Sequence, residues 1–294
     1  MKQRVITAIV LLAILAVVVW QISTPILVIV IAFLSATASL EIMNCAKVKN
    51  KFIKIVGTAF SALVPFFSSA KALTPWVSQL QWNLVIHFIP HIAFIIVLVI
   101  AFLLAMLKGY AYTKFEDVAI SVFASVLVPY GFSIFIRLRD MFDNSQLGVY
   151  LIFYALICAL ATDTGAQLGG MAFGKTKMSP NISPKKTVEG AVSGIVTSII
   201  LNAVAIVLYN HFADTALTQT QTTILLVAVP FVSFLGMMGD LSASVLKRNF
   251  GVKDFGKIFP GHGGVMDRMD STLFTLPVTY ALIITVNQIS MVLG

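Results

Sequence analysis

The chain has 294 residues, 59% of them apolar and only 11% charged, with a mean hydropathy of +0.96. Soluble domains carry about 25% charged and about 45–50% apolar residues, so a soluble globule is excluded, and with it disorder, a coiled coil, collagen and a secreted disulfide scaffold. The formal charge of +8 would point to nucleic acid on a soluble protein; in a membrane protein, cytoplasmic loops rich in Lys and Arg produce the same excess, and no nucleic-acid partner is expected.

Nine apolar runs follow one another, at roughly 4–21, 24–44, 54–70, 83–107, 117–137, 147–163, 188–209, 222–246 and 271–292. A membrane helix needs about 17–25 such residues. The first run opens on Lys2 and Arg4, but apolar character continues past Ala36-Thr37-Ala38, too far for a cleaved leader, and it is read as a retained helix. Alternating the connections puts seventeen of the twenty Lys and Arg residues on one side, leaving Lys71, Arg137 and Arg139 on the other. The positive-inside rule then sets the N-terminus in the cytoplasm and the C-terminus outside. The expected fold class is an all-α integral membrane protein with about nine transmembrane helices. Trp76 and Trp82 bracket the 71–82 loop as interfacial aromatics. By content the chain divides into residues 1–160, N-terminal helices of about six spans, and 161–294, a catalytic region with motif loops at 163–190 and 244–270. Cys45 and Cys158 lie in or beside apolar runs with no other Cys or His nearby, and read as inert thiols. Gly190 and Gly194 form a GxxxG pair suited to close helix packing.

Ionisable residues near the bilayer are costly and need a reason. Asp163 ends the sixth run, Asp240 lies late in the eighth, and Asp267 and Asp270 stand just before the ninth. The last two are three residues apart and share a helix face. With a third carboxylate they offer an oxygen cage of the kind Mg²⁺ takes together with substrate phosphates; capping of the final helix and pairing with Arg268 is the plainer alternative. Between Ser244 and Asp270 the chain packs five basic residues and five glycines around Gly261-His262-Gly263-Gly264. Glycine admits close approach of backbone N–H groups to an anion, and Lys and Arg neutralise it. A second group is Asp163-Thr164-Gly165, Gly174-Lys175 and Ser183-Pro184-Lys185-Lys186-Thr187. Ser183 as cap and Pro184 in a first turn predict a helix start there, with Lys185 and Lys186 at its positive end. A solvated basic face that only sets topology is the competing reading.

Ser244, Lys247, Arg248, Lys253, Asp254, His262, Gly263, Gly264, Asp267, Arg268 and Asp270 together resemble the full signature of the phosphatidate cytidylyltransferases, the membrane CDP-diacylglycerol synthases. Ser183 to Thr187, Glu189-Gly190 and Asp163-Thr164-Gly165-Ala166 resemble the same family, whereas Gln167 stands where an aromatic is expected. The strong likeness covers residues 160–272. It implies transfer of CMP from CTP to phosphatidic acid, giving CDP-diacylglycerol and pyrophosphate, with Mg²⁺, a site open to cytoplasm and membrane, and often a homodimer in the cytoplasmic membrane. The expected metal ligands are Asp240 and Asp267, with Asp270 as ligand or neighbour. Lys185, Lys186, Lys247 and Arg248 are expected to neutralise phosphates, and Asp163 and Lys175 to line the nucleotide side. Ser244, Lys253, Gly263, Gly264 and Arg268 belong to the binding loops, and His262 is expected to hydrogen-bond phosphate, with general-acid work as its alternative. Two rival functions remain: a CTP-dependent enzyme acting on another lipid phosphate or a polyprenyl alcohol, and a cation-coupled transporter, which would place its charges near the bilayer midplane in paired halves.

Overall fold

The computed structural model describes residues 16–22, 24–68, 83–142, 145–261 and 263–293. Most of the first expected span, Trp76, Trp82 and His262 lie outside them. Among the described residues, seven helices are long and apolar enough to cross a membrane, and they match the second to eighth expected runs. A further helix runs from Thr272 to Leu293, apolar over Thr272–Val286. The chain is a multi-pass helical membrane protein.

Two compact units emerge: Met1–Asp140 with Val252–Arg268, and Met141–Gly251 with Met269–Gly294. In the first, α1 (Ile26–Cys45), α2 (Lys51–Ser68), α3 (Asn83–Lys108), α4 (Phe115–Val122) and α5 (Val128–Asp140) pack together, with a π-helical turn, Phe123–Leu127, joining α4 to α5. Asn50 caps α2, accepting from Phe52 N at 3.1 Å and Ile53 N at 3.4 Å, while its Nδ2 donates to Thr113 Oγ1 at 3.1 Å. That bridge ties the Lys47–Lys54 connection to the Lys108–Lys114 connection. Arg139, by contrast, donates to the carbonyls of Ile22 and Thr24, ahead of α1, and pairs with Asp140 at 2.8 Å. Within this unit the basic connections therefore meet at one end and Arg139 at the other.

The second unit contains α6 (Ser145–Phe173), the strands β1 (Lys177–Ser179) and β2 (Ser183–Thr187), α7 (Val188–Phe212), α8 (Gln219–Asn249), a short α9 (Met266–Met269) that straddles the division, and α10 (Thr272–Leu293). Helices α6 and α7 lie close because glycines line the seam. A Cβ on Gly194 would come within 2.5 Å of the Thr162 carbonyl, and one on Gly190 within 2.7 Å of the Ala166 carbonyl. The GxxxG pair is a packing device, as its spacing suggested. Inside the same unit Tyr154 donates to the Leu225 carbonyl at 2.8 Å, tying α6 to α8. Both cysteines are buried and neither is in a disulfide.

Two expectations change. The sixth span does not stop at residue 163: α6 continues to Phe173, because packing of Gly165, Gly169 and Gly170 against α7 outweighs the weak helix propensity of glycine. The helix expected to start at Ser183-Pro184 starts at Val188, with Thr187 as the N-cap accepting from Gly190 N at 3.1 Å. Ser183–Thr187 is instead an edge strand antiparallel to Lys177–Ser179. A residue before proline is driven to extended backbone, and a two-stranded edge tolerates the missing N–H.

Candidate active site

In the second unit, three carboxylates and two lysines come from α6, β2, α8 and the turn that precedes α10. Asp240, Ser244 and Lys247 fall at i, i+4 and i+7 on α8 and so share one face. The 31 residues of α8 span about 46 Å at 1.5 Å per residue. The helix is thus longer than the ~30 Å hydrocarbon layer, and Lys247 and Arg248 stand in its last turn. Lys186, on β2, forms an ion pair with Asp240, both side chains about a quarter exposed. Asp163 comes from α6 and accepts from Ser271 Oγ at 3.0 Å. Asp270, only 8% exposed, accepts from Ser271 N at 2.8 Å. Burial is the main cause that pushes the Asp270 carboxyl up to about 7, and the Asp240 charge adds to it. Lys247 and the Ser271 amide pull the other way, and Asp163 contributes a smaller rise.

The donor set is oxygen only, which suits a hard cation. Among the described residues no three carboxylate, His or Cys side chains stand close enough to hold an ion by themselves. A pair of carboxylates completed by substrate phosphate and water is the arrangement Mg²⁺ ordinarily accepts.

The lysines of the 163–190 segment separate by position. Lys185 and Lys175 are exposed, while Lys186 turns toward Asp240. The first turn of α7 is already served: besides the Thr187 cap, Glu189 accepts from Lys175 N at 3.0 Å and Thr176 N at 3.1 Å. These bonds pin the hairpin to the start of α7. Arg248 is exposed, its Nε reaching the Ile182 carbonyl at 3.5 Å, and Ser244 is buried.

The glycine-rich loop belongs to the first unit. Asp267 Oδ2 accepts from Phe255 N at 2.7 Å and from Gly264 N at 3.0 Å, closing the loop on itself. Gly263 has a φ of +86°, a left-handed conformation that glycine adopts without strain, and Phe259 N donates to its carbonyl at 3.0 Å. Lys253 and Arg268 are exposed. Glu41 of α1 was not singled out from sequence, although it is the one acidic or basic residue in that apolar helix. It is 7% exposed and accepts from Val265 N at 3.1 Å and Met266 N at 3.0 Å. A carboxylate within a membrane helix costs at least ~2.5–3.5 kcal/mol on insertion scales, and that cost was the available signal. Ser271 was also missed, being an ordinary residue type with no pattern to mark it.

The profile described as the Cytidylyltransferase family matches residues 2–286. The chain belongs to that family. Among curated relatives, the phosphatidate cytidylyltransferase of Staphylococcus aureus (strain COL) is 32% identical over 284 residues, covering 97% of this chain and 99% of that protein. The phosphatidate cytidylyltransferase of Staphylococcus haemolyticus is 33% identical over 287 residues, with the same coverage of both. That of Bacillus subtilis (strain 168) is 37% identical over 169 residues, which is 58% of this chain and 59% of that protein. For a cytidylyltransferase the grouping of acidic and basic side chains at the polar ends of apolar helices has a direct chemical use.

Proposed function

We propose that the protein is a CTP:phosphatidate cytidylyltransferase, an enzyme of phospholipid biosynthesis that moves CMP from CTP to phosphatidic acid and releases pyrophosphate. The observation that carries this reading is the grouping of Asp163, Asp240 and Asp270 with Lys186 and Lys247 in a lipid-embedded member of the cytidylyltransferase family. A phosphate oxygen of phosphatidic acid attacks the α-phosphorus of CTP, and the bond to the β-phosphate breaks with its electrons leaving on pyrophosphate. The lipid phosphate is already anionic near neutral pH, so no strong general base is needed. Catalysis then rests on in-line positioning and on neutralising charge at the α-phosphate and the leaving group.

Lys186 and Lys247 supply positive charge to phosphate oxygens, with Arg248, Lys185 and Lys175 drawing the nucleotide in from water. Asp240 and Asp270 are the proposed Mg²⁺ ligands, with Asp163 beside them; Asp267 is included on the Asp-Arg-x-Asp motif alone. Bound Mg²⁺ would supply Lewis-acid stabilisation of the phosphate oxygens. The Ser271 hydroxyl and amide orient the Asp163 and Asp270 carboxylates. Ser244, Lys253, Gly263, Gly264, Arg268 and His262 complete the binding loops in this proposal.

The proposal extends to nine spans in a cytoplasmic membrane, an N-terminus and active site facing the cytoplasm, an external C-terminus, and a homodimer. The division of basic residues within each set of connections supports the orientation. A reporter fused after Gly294 is expected to behave as external; cytoplasmic behaviour removes one span and undoes the orientation. The test of the activity is pyrophosphate release by purified protein given CTP, Mg²⁺ and phosphatidic acid. Release with a polyprenyl phosphate or polyprenyl alcohol but not with phosphatidic acid would transfer the assignment to another lipid acceptor.

A further inference from the structure

We propose that Glu41 is a positioning residue for nucleotide binding: its carboxylate, fixed on membrane helix α1, holds the backbone at Gly256 and at Gly264–Met266 so that the basic residues beside them, Lys253, Lys257 and Arg268, are set to meet phosphate. The proposal rests on the cytidylyl-transfer reading above. It concerns a residue outside the motif segments, more than 200 positions upstream of the loop it holds.

The geometry is specific in three ways. Each oxygen of Glu41 takes one N–H from consecutive residues, Oε1 from Val265 and Oε2 from Met266. A carboxylate divided between adjacent amides fixes the orientation of the peptide between them. Next, both Gly256 and Gly264 press against the same group, so that a Cβ on either would come within 2.5 Å of Glu41 Cδ. The loop is thus held to one side chain at its beginning and at its glycine turn. Finally, the Asp267 carboxylate ties Phe255 N to Gly264 N from within the loop, and Cys45, one helical turn beyond Glu41, lies 3.0 Å from the Phe255 carbonyl. The backbone at Gly256 and at Gly264–Met266 is therefore set before any ligand arrives, and with it the positions from which the exposed Lys253, Lys257 and Arg268 meet a phosphate.

Two variants test this without removing any group assigned to substrate. Glu41→Gln keeps the size of the side chain but turns one of its two acceptors into an N–H donor facing a backbone N–H. Gly256→Ala leaves the charge intact and pushes the carboxylate off its amides. Both are expected to raise the KM for CTP about tenfold, the equivalent of one charge-assisted hydrogen bond, while the KM for phosphatidic acid stays at the wild-type value. Both should also speed trypsin cleavage after the exposed Lys253 and Lys257 of the loop. Wild-type CTP KM and wild-type cleavage in both variants would overturn the proposal. So would an equal rise in KM for both substrates, which marks a merely structural carboxylate. If the wild-type protein releases no pyrophosphate from CTP and phosphatidic acid, the functional reading fails instead; the trypsin comparison needs no turnover and still decides whether Glu41 sets the loop.

Discussion

Lysines 185 and 186 are neighbours in sequence but differ in environment, and their replacement by alanine separates a charge paired within the site from one exposed on the hairpin. Lys186 pairs with Asp240 at a position only a quarter exposed, whereas Lys185 is exposed on the hairpin. At direct contact in a partly desolvated setting, a charge-assisted bond contributes about 1.5–3 kcal/mol. Loss of that much transition-state stabilisation corresponds to about a tenfold to 150-fold fall in kcat/KM for Lys186→Ala. An exposed charge contributes about 0–1 kcal/mol, so Lys185→Ala is expected to cost about fivefold at most. The substitution also strips Asp240 of its counterion beside Asp270, so added salt should not restore activity as it would for a screened surface pair. The assay is initial-rate pyrophosphate release across a CTP titration, with elution volume and melting temperature as folding controls. Equal, near-wild-type rates for the two variants would refute the reasoning and return the hairpin lysines to a role in topology only.

Three other outcomes are expected. Asp240→Asn and Asp270→Asn should each abolish Mg²⁺-dependent turnover with poor rescue by excess Mg²⁺, since the amide keeps the size but loses the charge that binds a hard cation; wild-type rates and Mg²⁺ dependence in both would place the metal elsewhere. In metal-free protein, burial first and the Asp240 charge second raise the Asp270 carboxyl from 3.8 to about 7. The folded state therefore holds this proton more tightly than the unfolded one. The associated stability is present in full below about pH 4 and lost as pH rises through about 7. Asp270→Asn should accordingly melt higher than wild type at pH 8 in EDTA, with the difference shrinking towards zero as pH falls below about 4; a lower melting point at pH 8 would contradict this. Gly194→Val should lower the melting temperature through overpacking worth ~1–3 kcal/mol, because even a Cβ there meets the Thr162 carbonyl at 2.5 Å; an unchanged melting point would mean the α6–α7 seam is not tight.

Membrane residence, the order of the spans and the glycine packing motif were legible in the chain because each depends on local composition or short spacing. An apolar run of helix length has one stable disposition in lipid, and a GxxxG repeat puts its glycines on one face whatever surrounds it. The motif residues after position 244 were legible in the same way, as residue types at fixed intervals. Tertiary structure decided what spacing cannot carry. Helix α6 runs through Asp163 to Phe173 because a partner helix rewards its glycines, and residues 183–187 pair as a strand because the chain returns from α6 there. Asp163, Asp240 and Asp270 act on one another only because three elements meet, and Lys186 differs from Lys185 only by what it faces. Glu41 is the clearest case: its charge on an apolar helix was visible in the sequence, but its partners, Val265 and Met266, lie 224 and 225 residues away. A buried carboxylate must find donors somewhere, and only the fold determines where.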